Sequence, residues 1–128
     1  MTLDLRYLEP EEVPHVLGEL NMTISAAKNP EYARYLAAFN DRNIAGVTIL
    51  YEHPEMSNIH IDALEVAEAE RHHGVASAML ERVFVEAADK TKTVTNNGFS
   101  DMGKEHLVHV LNRLAKKYGV AQEAIGRC

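Results

Sequence analysis

The chain has one cysteine, Cys128, and no tryptophan. A lone thiol excludes an intramolecular disulfide, and its place at the last position suits a reducing compartment. No apolar run approaches the roughly 20 residues that span a bilayer. The first residues, with Asp4 and Arg6 among them, lack the apolar region of a signal peptide. A cytoplasmic protein with no membrane partner is therefore expected. Basic residues are also few: 13 Lys and Arg stand against 19 Asp and Glu, for a formal net charge of -6. Nucleic-acid binding needs clustered cations to neutralise phosphates, so that class of partner is excluded. The nearest basic cluster, Arg113, Lys116 and Lys117, falls late in an expected helix, where cations complement the dipole.

Other absences narrow the chemistry. No Cys-x-x-Cys or His-Glu-x-x-His occurs, and the adjacent His72 and His73, or His106 with His109, fall short of the three or four ligands of a zinc site. No metal is expected. A Ser-His-Asp hydrolase lacks its Gly-x-Ser-x-Gly elbow. There is no repeat, low-complexity tract or linker, so residues 1–128 read as one domain. What is present is ordinary for a soluble globular chain, with 46% hydrophobic and 25% charged residues.

Hydrophobic periodicity divides the chain into alternating elements. Thr2 to Leu8 reads as a strand through Leu3, Leu5 and Tyr7. Val13, Val16, Leu17 and Leu20 share one helical face, so Pro10 to Leu20 reads as a helix, with Pro14 late enough to mark its true start. Tyr32 to Asn40 and Ile44 to Tyr51 form a hairpin across Asn40-Asp41-Arg42-Asn43, and Asn58 to Val66 is a fourth strand. A helix from about Val75 to Asp89 carries the stripe Met79, Leu80, Val83, Phe84 and Ala87. Lys92 to Thr95 is a fifth strand. A last helix, Gly103 to Tyr118, is capped by Gly119.

The junction between the fourth strand and the following helix is the richest in chemistry. The strand ends at Val66, a polar turn follows, and Arg71-His72-His73-Gly74-Val75-Ala76-Ser77 opens the helix. Amides at a helix start have no partner four residues back, and the dipole adds partial positive charge, which together seat phosphate. Gly74 permits close backbone approach, and Ala76 keeps the next turn thin. The spacing of Val66, Arg71, Gly74 and Ala76 resembles the acyl-CoA signature of the GNAT superfamily of N-acetyltransferases. That signature is Val-x-Pro-x-x-Arg/Gln-x-x-Gly-x-Gly/Ala. Glu68 stands in place of the proline, and His72 where glycine is frequent.

The resemblance covers nearly the whole chain and implies an α/β (α+β) GNAT-like fold. Its central sheet would be mixed, mostly antiparallel and flanked by helices. It implies acetyl-CoA as acyl donor, its pantetheine arm on the main chains of Leu64 and Val66. The pyrophosphate would lie on Arg71, His72, His73, Gly74, Val75, Ala76 and Ser77, chiefly through main-chain N–H groups. Lys104, in the first turn of the last helix, is in reach of a further CoA phosphate. The family closes with two strands after its last helix, whereas only Val120 to Cys128 remains here. A truncated hairpin leaves the far sheet edge open, pointing to a homodimer or a covering partner.

Acyl transfer to an amine requires the uncharged amine, at about 4–5 kcal/mol for a lysine-like group at pH 7. A base lessens that burden. His60 and Asp62 share one face of the fourth strand by period-two alternation, and Glu65 lies near its end. His60 with Asp62 is the preferred pair. The family commonly places a tyrosine acid on the last helix; here Tyr118 comes only at its far end, leaving Ser100, or else His106, to protonate the departing thiolate. The expected reaction is acetylation of a primary amine on a small molecule, peptide or protein lysine by direct attack. The alternative is a catalytically silent member of the fold acting as a protein-binding module.

Overall fold

A computed structural model describes residues 2–20, 30–97 and 104–124 of the chain. The strands are β1 (Leu3–Tyr7), β2 (Ala33–Asn40), β3 (Asn43–Tyr51), β4 (Asn58–Val66), β5 (Thr93–Asn96) and β6 (Gln122–Ala124). The helices are α1 (Val13–Glu19), α2 (Val75–Lys90) and α3 (Lys104–Tyr118). Short 3-10 turns at Pro10–Glu12, Pro30–Tyr32 and Glu68–Glu70 lead into α1, β2 and the loop before α2. The strands form one six-stranded sheet in chain order. Neighbours from β1 to β4 are antiparallel, and β4, β5 and β6 run parallel. Parallel neighbours need a crossover, which α2 and α3 supply.

Two expectations change. The segment from Pro10 is not one α-helix: a 3-10 turn precedes α1, because Pro14 lacks an N–H and is tolerated only in the first helical turn. The far edge is not bare either, since Val94, Thr95 and Asn96 pair with Gln122, Glu123 and Ala124. Three residues are too few to show a period in sequence, yet they cover β5 and leave a short edge bearing the exposed Glu123.

Both faces of the sheet are packed. On one, Met79, Leu80, Val83, Phe84 and Ala87 of α2 and Val110, Leu111 and Leu114 of α3 bury Leu36, Leu50, Ile59 and Ile61. On the other, Val13, Val16 and Leu17 of α1 cover Ala37, Val47 and Ile49. Each large side chain so buried contributes about 1.5–3 kcal/mol of transfer free energy. Gly46 is required where α2 meets β3. A Cβ there would lie 2.9 Å from both the Glu65 carbonyl oxygen and Met79 Cε, and 3.1 Å from Val75 Cγ1.

Strand β4 carries a bulge that decides which way its side chains face. Leu50 pairs with Ile61 and Ile49 with Ala63, which leaves Asp62 as the extra residue. Ile59 and Ile61 therefore face α2 and α3 before the bulge, and Leu64 and Val66 face the same side after it. Thr48 Oγ1 donates to the Ala63 carbonyl at 2.9 Å, satisfying an acceptor at the irregularity.

A polar network ties the far end of α2 to the sheet. Glu86 accepts from Tyr7 Oη at 2.5 Å and from Arg34 at 2.8 Å. Arg34 also meets Glu52 at 2.7 Å, and Glu52 takes Lys90 and Lys92. Burial pushes the Glu86 carboxyl up, but the hydrogen bonds from Tyr7 and Arg34 outweigh it and hold the group below its ordinary value. Glu52 is lowered too, burial being outweighed by Lys92, Lys90 and Arg34. A carboxylate lowered by folding stabilises above its unfolded value and loses that contribution as pH falls through the folded one. Stability should therefore decline with acid below about pH 4.5, the reference value of both groups. In urea unfolding, Glu86→Gln should cost about 1–3 kcal/mol at pH 7 and flatten this acid limb.

Candidate active site

The loop before α2 is shaped for an anion. His72 and Gly74 both adopt positive φ, 67° and 81°, turning the chain sharply into the helix. Gly74 is the N-cap and offers no side chain to the helix start, and the first turn contains no acidic residue. The first helical bond seen is Ala78 N–H to the Gly74 carbonyl, 3.0 Å. The amides of Val75, Ala76 and Ser77 are thus the orphan donors of a 16-residue helix. Arg71, His72, His73 and Gly74 are exposed, while Val75 is buried and fixes the helix against the sheet.

Beside this loop, β4 loses its neighbour. Pairing with β5 runs from Asn58–Thr93 to Ile61–Asn96 and stops. At one end of the resulting gap Asn97 Nδ2 donates to the Asp62 carbonyl at 3.3 Å and to Asp62 Oδ1 at 2.8 Å. At the other, Arg71 Nε donates to the Val66 carbonyl at 3.3 Å and its terminal nitrogen reaches Glu65 at 3.1 Å. The Val66 carbonyl accordingly faces the gap, and strand period two places the main chain of Leu64 there as well. Between the two clips Leu64 lies along an edge with no strand beside it among the described residues.

His60 and Asp62 are brought together, although not in contact. His60 Nδ1 lies 2.8 Å from Thr95 Oγ1, and Nε2 lies 2.7 Å from Asn97 Oδ1. Asn58 Nδ2 donates to Thr95 Oγ1 at 2.8 Å. The Asn97 amide donates to Asp62, so its oxygen accepts from His60 Nε2–H. The Thr95 hydroxyl accepts from Asn58 and donates to Nδ1. One directed chain therefore runs Asn58, Thr95, His60, Asn97, Asp62. Next to it lies a cleft of about 350 Å³ lined by Tyr32, Tyr51, His53, Glu55, Met56, Asn58 and His60. Burial, then the Asp62 charge, raises the phenols of both Tyr51 and Tyr35, keeping them protonated.

The chain matches the family model of the acetyltransferase (GNAT) family over residues 3–98. It belongs to the GNAT acetyltransferase family, whose acyl donor is acetyl-CoA. Several solved GNAT structures share its fold. A ribosomal-protein-alanine N-acetyltransferase from Brucella melitensis biovar Abortus 2308 superposes with TM-score 0.68 at 17% identity, over 84% of this chain and 88% of that one. An aminoglycoside acetyltransferase from an uncultured soil metagenomic sample gives 0.66 at 26% identity, over 89% and 91%. A Bacillus subtilis acetyltransferase in complex with CoA gives 0.66 at 16% identity, over 89% and 76%. Among curated protein sequences none is significantly similar.

Within this GNAT chain, both departures from the family signature have a local meaning. Glu68 opens the 3-10 turn Glu68–Glu70, the position where proline's fixed φ is suited, and supplies first-turn charge instead. His72 occupies a left-handed position, which explains why glycine is frequent there. Sequence reasoning missed Thr95, Asn97 and Tyr51. Tyr51 faces His60 through the β3–β4 register, and Asn58 and Asn97 contact partners 35 or more residues away. Ser100 lies outside the described residues; Lys104 begins α3. A left-handed residue with a side chain costs about 1–2 kcal/mol, against about 0.5–1 for the added freedom of unfolded glycine. His72→Gly should therefore raise Tm by roughly 2 °C in a thermal melt, and an unchanged or lower Tm would show that the side chain has a compensating contact.

Proposed function

We propose that this chain acetylates a primary amine of a small molecule, peptide or protein as a single-domain, cytoplasmic enzyme using direct attack. The observation that carries the reading is the open half-edge of β4 leading into an uncapped helix start, a continuous main-chain track for an extended ligand ending in phosphate. Leu64 and Val66 would hold the pantetheine arm through their main chains. Arg71, His72, His73, Gly74, Val75, Ala76 and Ser77 would hold the pyrophosphate, and Lys104 a further phosphate. When bound, acetyl-CoA supplies an activated thioester for the amine to attack.

The residues of the chain handle the proton. His60 carries its hydrogen on Nε2 and directs the Nδ1 lone pair at the Thr95 hydroxyl. If the Thr95 hydroxyl passes its proton to Nδ1 while taking one from the amine or an intervening water, the imidazolium formed has an Nε2–H already accepted by Asn97, with the Asp62 carboxylate one amide further on. Such pre-arranged acceptors stabilise developing charge without reorganisation. Asp62 therefore supports the base, and Ser100 remains the candidate donor to the leaving thiolate. Asp62 is the extra residue of the bulge, and its carboxylate accepts from Asn97.

Melting the protein with acetyl-CoA tests the donor site. At one hundred times Kd, binding should add about 2.7 kcal/mol, a Tm shift of roughly ten degrees for this size. Gly74→Val should lose that shift while keeping the far-UV spectrum; no shift for the parent at millimolar acetyl-CoA sinks the reading. His60→Gln should lower kcat about 100-fold in a thiol-release assay and leave the acetyl-CoA shift intact. Binding with no thiol release across an amine and peptide panel would instead favour the catalytically silent binding module.

A further inference from the structure

We propose that the acceptor is a compact primary amine with an apolar or aromatic body and no carboxylate, a specificity that rests on the acetyl-transfer reading. Helix α1 covers Ala37, Val47 and Ile49 but leaves the neighbouring part of its sheet face to the cleft. Tyr51 and His60 stand opposite each other in the β3–β4 register and form its floor. Its wall is an aromatic pair: the Tyr32 and His53 rings lie 4.4 Å apart at 52°. The Glu55 N–H donates to His53 Nδ1 at 3.0 Å, which fixes that ring. At the lip Met56 is 56% exposed, a large apolar side chain with no cover among the described residues.

Charge and size sharpen the class. None of the described lining residues is Lys or Arg, whereas Glu55 lines the cleft and Asp62 acts electrostatically on Tyr51 in its floor. An ammonium is therefore attracted, by carboxylates and by phenol faces. A carboxylate on the same ligand would meet no compensating cation among the described lining residues and would lose its hydration. A volume of about 350 Å³ lies at the small end for ligand sites, of about 300–1,000 Å³. A ring or short alkyl body fits such a volume. Transfer forms the N–C amide bond and breaks the C–S bond. Of the two protons the ammonium loses, one ends on the thiol and one passes through the base to solvent.

The test compares two acceptors that differ only in the carboxylate, 2-phenylethylamine and phenylalanine, beside kanamycin and an alanine-ended peptide. By thiol release, 2-phenylethylamine should exceed phenylalanine at least tenfold in kcat/KM and exceed the other two. Equal rates for the pair, or preference for kanamycin or the peptide, overturns the proposal. Met56→Lys, at an exposed position, should raise KM for 2-phenylethylamine several-fold and narrow the gap to phenylalanine; an unchanged ratio counts against the cleft. Binding of 2-phenylethylamine to the protein without acetyl-CoA, followed by NMR of the His53 and His60 rings, gives a readout independent of turnover. Millimolar or tighter binding there supports the acceptor class even if acetyl-CoA fails to bind, whereas no perturbation overturns it even if acetyl-CoA binds.

Discussion

The site depends on β4 losing its partner half-way along. Had β5 continued beyond Asn96, its main chain would have saturated the groups that Leu64 and Val66 present. An edge with no strand beside it among the described residues presents polar backbone groups that water or a ligand must satisfy. The chain limits the exposure to a short stretch. Asn97 closes one end by imitating a strand residue with its side-chain amide, and Arg71 closes the other on the Val66 carbonyl. The same Asn97 that ends the ladder also joins His60 to Asp62. The residue at the end of the β4–β5 ladder therefore also organises the polar groups around His60.

Helix α2 turns this local opening into a usable geometry. Its first turn must lie close to the end of β4 for orphan amides and an open edge to serve one ligand. Gly46 makes that approach sterically allowed, and buried Val75 and Met79 fix it. The opposite end is held by Glu86 and Lys90 through Arg34, Tyr7 and Glu52. Removing one partner from such a part-buried charge network leaves the remainder uncompensated. A change there would loosen the helix as a whole, far from the loop.

Much of this was legible in the sequence where a local pattern matched a local structure. Strand β4 begins and ends where its apolar and turn residues indicate. Helix α2 starts at Val75, because Gly74 and the Met79, Leu80, Val83, Phe84 stripe agree on its phase. The arrangement of His60 and Asp62 was only half legible. Alternation puts them on one face, but the bulge inserts Asp62 as an extra residue, and no pattern in nine residues reveals a change of parity. Thr95, Asn97 and Tyr51 belong to other strands, so their meeting with His60 is a consequence of register. The strand at Gln122–Ala124 was hidden for a simpler reason: three polar or small residues paired by main chain alone carry no hydrophobic signal.

An acidic chain proposed to hold a phosphate ligand looks at first like a contradiction. The net charge of -6 acts as a diffuse field, screened over about 8–10 Å at ordinary ionic strength. Donors at a helix start act at hydrogen-bond distance, where local dipoles outweigh that field. The first turn of α2 is free of carboxylates, and Arg71 spends part of its charge on Glu65 and its Nε on the strand end. On the proposed reading, recognition of phosphate by this loop would rest on main-chain amides rather than on a cationic patch. The acidic balance of the surface would then be free to favour the proposed acceptor, an ammonium approaching a cleft with Glu55 at its wall and Asp62 behind its floor.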